Sequence, residues 1–218
     1  MTDFAAARRN MVDGQVRTAD VTDQALLAAL LAVPRERYVP PGSVSLAYLD
    51  LDLPAGGTAA GRRLLKPMVL AKLIQMAAIG PGDRVLCVGC GLGYGAAVLA
   101  GIAREVVALE QDASLAEAAR TALAPLDNVT VVSGPLTAGW PAQAPYDAIV
   151  IEGAIEMEPR AFRDQLAEGG RLVCVLGGGP DAKAMLYFRS GGDIGGRQVF
   201  DAAAPVLPGF AKPPAFAF

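Results

Sequence analysis

The residues able to do chemistry in this chain begin at position 85. Val85-Leu86-Cys87-Val88 is an apolar run that leads directly into Gly89, Gly91 and Gly93, and a helix-compatible stretch opens at Tyr94. A strand ending in glycines lets the backbone approach a ligand closely, because no Cβ stands in the way. A helix starting at the same point presents free N–H groups to that ligand. Such a turn suits a nucleotide-like cofactor. The next apolar run, Glu105 to Glu110, ends in an acid. In a doubly wound sheet the end of the second strand lies beside the first loop, where a carboxylate can accept both hydroxyls of a ribose. Glu110 is the candidate for that place. Cys87 and Cys90 form a Cys-x-x-Cys, but the chain has no histidine and only Cys174 to add. A four-ligand metal site therefore lacks ligands, and no metal is expected. Three cysteines, an odd count, suit a reducing compartment.

The spacing of the glycines narrows the choice of cofactor. A dinucleotide site reads Gly-x-Gly-x-x-Gly, and the third glycine of that pattern is replaced here by Tyr94. The spacing Gly89-Cys90-Gly91-Leu92-Gly93-Tyr94 resembles instead the first motif of S-adenosylmethionine (SAM)-dependent methyltransferases. A glycine-rich turn without a ligand is the alternative.

These residues must be held by alternating strands and helices. From Gly82 onward the pattern predicts strands at 85–88, 105–110, 129–133, 146–151 and 171–176, with helices at 94–102, 113–124 and 158–168. That alternation argues for an α/β fold with a doubly wound, mostly parallel sheet and helices on both faces. The segment around Gly191-Gly192 reads as an antiparallel hairpin closing the sheet. Before it, residues 1–60 read as an N-terminal helical extension and residues 61–218 as the sheet-bearing domain, the two forming one compact unit. In the extension Thr22 is positioned to cap a helix through Leu31, with Leu26, Leu27, Leu30 and Leu31 on one face. Pro67 opens a further helix to about Ile79. The C-terminal Phe210, Phe216 and Phe218 are expected to pack onto the body.

Composition excludes other classes. With 218 residues, 53% hydrophobic and 19% charged, the chain suits one well-buried globular domain. A net charge of −3 gives no global attraction to nucleic acid. The basic spots Arg8-Arg9, Arg35/Arg37 and Arg62-Arg63/Lys66 read as solvated surface. No apolar stretch approaches the roughly 18 residues of a membrane span, and the charged start lacks a signal-peptide core. The expected location is the cytoplasm.

Segments in order along nearly the whole chain carry a family resemblance. ARRNMVDGQVR, VPRERYVP, AYLDLDLP, RRLLKPMVLAKLIQ, the glycine loop with YGAAVLA, GW with PYDAIVIEGA, LAEGGRLVCVLG, and a terminus that reads LPGF followed by a Phe-rich end are together similar to the protein-L-isoaspartate O-methyltransferase family, bacterial branch. The resemblance implies a Rossmann-like class I methyltransferase fold with SAM as methyl donor and S-adenosylhomocysteine as product. It implies an isoaspartyl or D-aspartyl carboxylate in damaged protein as acceptor. In that frame Gly89 to Tyr94 hold the methionine part, Glu110 the ribose, and Gln111 lies near the adenine, walled by Pro135 and Leu136. Arg62, Arg63, Leu64, Leu65, Lys66 and Pro67 face the acceptor, and Glu152, at the end of the fourth strand, lies beside the methyl group. Glu152 and Lys66 are the candidate catalytic residues.

The chain departs from the family at four places. Thr-Ile-Ser of the substrate loop is Arg63-Leu64-Leu65, the acid of the first strand is Cys87, the serine of the glycine loop is Leu92, and the adenine-contacting Gly-Asp is Gly134-Pro135. None forbids methyl transfer to a carboxylate, which is ionised near neutral pH with a reference pKa of about 4 and needs no general base. Two alternatives stay open. The Leu64-Leu65 pair suits a pocket for a different small acid, and the departures at Cys87, Leu92 and Pro135 suit a non-catalytic protein that binds SAM or its product or serves as an interaction module.

Overall fold

The computed structural model describes residues 3–57 and 61–213. The chain opens with α1 (Phe4–Met11) and α2 (Gln24–Ala32), then a two-stranded ribbon of β1 (Leu53–Pro54) and β2 (Arg63–Leu64). The helix α3 (Pro67–Met76) leads into β3 (Arg84–Val88), α4 (Tyr94–Ala100), β4 (Glu105–Glu110) and α5 (Ala113–Leu123). The remaining strands are β5 (Val129–Ser133), β6 (Tyr146–Ile155), β7 (Leu166–Leu176), β8 (Lys183–Ser190) and β9 (Asp193–Asp201).

Seven strands form one sheet in the order β5-β4-β3-β6-β7-β8-β9. The first four pairings are parallel, and β8 and β9 complete the sheet antiparallel. The order reverses between β3 and β6, which makes their carboxyl ends the topological switch point where open α/β sheets receive ligands. This is the mostly parallel α/β sheet expected from the alternation, in the Rossmann-like class I methyltransferase form that the resemblance implies.

Side chains of the central strands alternate between two cores, as the period of two requires. Val85, Cys87, Val106, Ala108 and Val150 face a large core shared with all five helices. Leu86, Val88, Val107, Leu109 and Ile151 face a second core with Leu136, Phe162, Leu207 and Phe210. Residues before 60 supply Met11, Val12, Leu26, Leu27 and Leu30 to the first core. The second face is covered by short 3-10 segments and the C-terminal segment in place of full helices.

Several elements differ from the pattern in the sequence. The helix expected over 158–168 is a short 3-10 segment, Arg160–Gln165, and the chain is already strand at Leu166. Its buried Gln165 donates to the carbonyls of Ala138 and Ala161 and accepts from the Trp140 N–H, while Leu166 pairs with Tyr146. The long-range bonds to Ala138, Trp140 and Tyr146 outweigh local helix propensity. The β6 strand runs on to Ile155 rather than ending at 151. Arg35 and Arg62 are buried, against the reading of both as surface charges. Phe210 is buried beside Phe162 as expected, whereas Phe216 and Phe218 lie outside the described residues.

The cap of α2 is Asp23, one residue beyond the expected Thr22; its Oδ1 accepts from the N–H groups of Ala25 at 2.9 Å and Leu26 at 3.1 Å. Asp23→Ala should cost about 1–2 kcal/mol in chemical denaturation. A loss below about 0.3 kcal/mol would show that the Gln75 side chain, which accepts from the Thr22 and Asp23 N–H groups, secures this helix start unaided.

Candidate functional site

Three carboxyl ends converge at the switch point. From β3 the chain turns through Gly89, Gly91 and Gly93, all with φ in the left-handed region, and α4 starts at Tyr94. Two of these positions require glycine on further grounds. A methyl group on Gly93 would lie 2.8 Å from Leu123 of α5. One on Gly91 would meet nothing nearer than the Ala55 Cβ at 3.8 Å, so there the positive φ and the open space above it are what matter.

Glu110, at the end of β4, is fully buried and held by four donors. Its Oε1 accepts from the N–H groups of Gln111 at 2.9 Å and Asp112 at 3.1 Å. Its Oε2 accepts from the Gly91 N–H at 2.9 Å and from Arg62 Nη2 at 2.5 Å. The carboxylate thus ties the glycine loop to the start of α5. Arg62 also donates to the Gly89 carbonyl at 3.2 Å, and its Nε is buried without a partner. Leu207 of the C-terminal segment lies over the same loop, 3.2 Å from where a Gly89 Cβ would stand and 2.5 Å from one on Gly153. That segment is fastened to β6 by the Ala154 N–H donating to the Pro205 carbonyl and the Leu207 N–H donating to the Ala154 carbonyl, each 2.8 Å.

The third contribution comes from β6. Its register against β7 shifts between Val150 and Ala154, and Glu152 and Gly153 occupy that irregularity. A bulge of this kind turns a side chain out of its regular direction. Glu152 is buried, and its carboxyl accepts a hydrogen bond from the Cys87 thiol at 2.9 Å. It fills the space beside α4, where any side chain on Gly95 would collide with it. The acid that the family carries in the first strand is thus supplied at Cys87 by the neighbouring strand. Burial pushes both cysteine thiols, Cys87 and Cys90, well above their ordinary range, so they stay protonated. Among the described residues no group of three or more His, Cys, Asp and Glu is placed to hold a metal ion.

Burial raises the Glu152 carboxyl to about 7, with the Cys87 hydrogen bond and the Arg62 and Arg35 cations pulling it down. Between the ordinary carboxylate range and that value the native state keeps a proton that the unfolded chain has lost. The stability this contributes is present at low pH and is lost as pH rises through the window. Glu152→Gln removes this titration. Relative to the variant, the wild type should lose up to about 3 kcal/mol between roughly pH 4 and pH 8, read from denaturation midpoints. Parallel pH profiles would contradict the burial argument.

The other sequence candidates separate into those the fold gathers and those it does not. Gln111 and Leu136 meet, the Gln111 Oε1 accepting from the Leu136 N–H at 3.4 Å, with Pro135 exposed beside them. Tyr94 is buried, and Leu92 is half-buried. Arg63 is exposed and Lys66 half-buried, the latter preceding α3 with its N–H on Asp52. Leu64 and Leu65 turn away from the surface into the first core, Leu65 being 1% exposed. Pro67 is buried at the start of α3.

Two side chains were invisible as site residues in the sequence. Arg35 is wholly buried, donates from Nε to the Ala47 carbonyl at 2.8 Å and from Nη2 to the Leu65 carbonyl at 2.7 Å, and stacks over the Tyr94 ring. It links the N-terminal region, the 62–67 segment and the glycine loop. Leu207 is the other. The LPGF segment that holds it was the one available signal.

Comparisons with known proteins bear on the family and the fold. The family model described as protein-L-isoaspartate(D-aspartate) O-methyltransferase (PCMT) matches residues 6–200. A protein-L-isoaspartate O-methyltransferase from Methylorubrum populi is 45% identical over 178 residues, covering 81% of this chain and 82% of the relative. A solved protein-L-isoaspartate O-methyltransferase superposes with a TM-score of 0.80 at 25% identity, over 93% of this chain and 66% of that one. A Plasmodium falciparum structure, a putative protein-L-isoaspartate O-methyltransferase in complex with S-adenosyl-L-homocysteine, shares the fold with a TM-score of 0.75 at 19% identity, over 95% and 99% of the two chains. The chain belongs to the protein-L-isoaspartate (D-aspartate) O-methyltransferase family.

Proposed function

We propose that this protein is a SAM-dependent carboxyl O-methyltransferase that esterifies isoaspartyl or D-aspartyl carboxylates in damaged protein. The observation that carries the reading is the buried Glu110 carboxylate beside a glycine loop at the switch point, in a chain of this family. The residues fit the cofactor. What stands over Gly89 is the movable ends of Arg62 and Leu207, with no backbone atom among the nearest neighbours. The loop Gly89–Tyr94 would hold the methionine part, Glu110 the ribose hydroxyls, and Gln111, Pro135 and Leu136 the adenine edge. Bound there, SAM supplies an electrophilic methyl group on a sulfonium.

The chain's own contribution is position and charge. An acceptor carboxylate is already ionised near neutral pH, so the site needs no general base. Holding two reactants in line is worth up to roughly 7–11 kcal/mol. Arg63 and Lys66, exposed and half-buried on the 62–67 segment, offer cations to the acceptor. Glu152, turned onto Cys87, acts as a positioning residue between β3, β6 and α4. The burial of Leu64 and Leu65 withdraws the observation that favoured a pocket for a different small acid. Three cysteines remaining as buried thiols support work in the cytoplasm. Among the described residues no helix is long and apolar enough to cross a membrane.

The test is methyl transfer from labelled SAM to a synthetic isoaspartyl peptide and to its ordinary aspartyl twin. Base-labile label on the isoaspartyl peptide alone is the expected result. Equal background on both would overturn the acceptor assignment.

A further inference from the structure

An ionised carboxylate offers about four acceptor positions. On Glu110 all four are taken: by the N–H groups of Gln111, Asp112 and Gly91, and by Arg62 Nη2. A vicinal diol that donates two hydrogen bonds to this carboxylate has to take the place of a donor already there. Three of the four are backbone amides fixed by the glycine loop and by the start of α5, and cannot leave without moving the chain. The fourth is the tip of a side chain.

Arg62 is placed like an occupant rather than a fixture. Its Nε finds no partner, although the residue is only 5% exposed. Its Nη2 stands 3.6 Å from where a Gly89 Cβ would be, in the space that the glycine leaves open. The ion pair it makes is almost completely removed from solvent, its side chains 2% and 0% exposed. Without a ligand Glu110 would otherwise be a buried charge with no cation, an arrangement that is strongly unfavourable. Arg62 directly precedes β2, and its own carbonyl accepts from the Ala55 N–H at 3.0 Å, so its backbone is anchored to the ribbon while the guanidinium is held only through its tip.

We propose that Arg62 is an internal competitor for the cofactor seat: it neutralises Glu110 when the seat is free and is expelled when the diol of an adenine nucleoside takes the carboxylate. This rests on the reading of Glu110 as the ribose acceptor. Cofactor affinity is then the difference between two partners of one carboxylate, and Arg62 is the residue that sets it. The ligand class selected is a nucleoside with both ribose hydroxyls: one takes the position the arginine leaves on Oε2, and the other shares an acceptor oxygen with a backbone amide, which adds a bond the arginine does not match.

The test is calorimetric titration of S-adenosylhomocysteine into the full chain and into its Arg62→Gln and Arg62→Lys variants, with Glu110→Ala alongside. Arg62→Gln should bind about tenfold or more tightly than the wild type. Its ligand-free melting temperature should fall, and the gap between ligand-free and ligand-bound melting should widen. Arg62→Lys keeps a cation with no fork and guards against a variant that does not fold; it should tighten binding several-fold. Should the wild type bind too weakly to measure, binding by either variant supports the competitor and binding by neither overturns it. Unchanged or weaker affinity in the Arg62 variants, with affinity lost in Glu110→Ala, overturns the competitor and leaves the ribose assignment standing. Unchanged affinity in Glu110→Ala overturns both.

Discussion

Glu110→Ala should lose at least about tenfold in affinity for S-adenosylhomocysteine, the first of two large expected effects. Each hydrogen bond from a hydroxyl to a charged group is worth about 1.5–3 kcal/mol, and tenfold in affinity is about 1.4 kcal/mol. Two such bonds, less the one that Arg62 gives up on leaving, amount to at least about one factor of ten by this arithmetic. The substitution also releases the amides of Gln111, Asp112 and Gly91, which the carboxylate holds at 2.9 to 3.1 Å. Glu110→Gln separates these contributions, because it keeps the shape and one acceptor while losing the charge. Its loss should fall between the wild type and the alanine variant. Wild-type affinity in both would place the nucleoside elsewhere.

The second large effect falls on stability. Arg35→Ala should destabilise the fold by about 3–5 kcal/mol, since two interior carbonyls, those of Ala47 and Leu65, lose their donor and the Tyr94 ring loses the cation stacked on it. A domain of this size has only about 5–15 kcal/mol in hand. The loss appears as a lower denaturation midpoint, and Arg35→Lys recovers little of it because an ammonium cannot span both carbonyls. Faster hydrogen exchange at residues 61–66 should accompany it, as the Leu65 carbonyl is the point where Arg35 grips that segment. A change below about 1 kcal/mol would mean that the neighbouring core packing holds the segment without Arg35.

What could be read from the sequence follows from how local each signal is. The glycine loop after β3 and the acid closing β4 stand at fixed distances within one βαβ unit, so their order and types suffice to place them. The sheet could be read for the same reason: Val85 to Val88 and Val106 to Leu109 are short apolar runs bounded by polar or glycine residues. The second half of β6 could not. Glu152 interrupts the apolar run and looks like an end, whereas the strand continues because its carboxyl finds the Cys87 thiol inside the protein. A buried acid is recognised only through its partner, and that partner is 65 positions away. The same holds for Arg62 with Glu110 and for Arg35 with Ala47 and Leu65, whose cations read as solvated charges until the bonds that bury them are known. The 158–168 stretch has helical composition, yet Gln165 and Leu166 are claimed by Trp140 and Tyr146. At Cys87 and Glu152 the sequence suggested a lost acid, and the fold returns a carboxyl to the same place from the adjacent strand.

The most direct test of the account is a structure of the protein grown with saturating S-adenosylhomocysteine. The account predicts both ribose hydroxyls on the carboxylate of Glu110, the methionine part along Gly89 to Gly93, and the guanidinium of Arg62 withdrawn from the seat. A structure with the Arg62–Glu110 pair intact, whether the nucleoside is bound at another place or is absent at saturation, would contradict it.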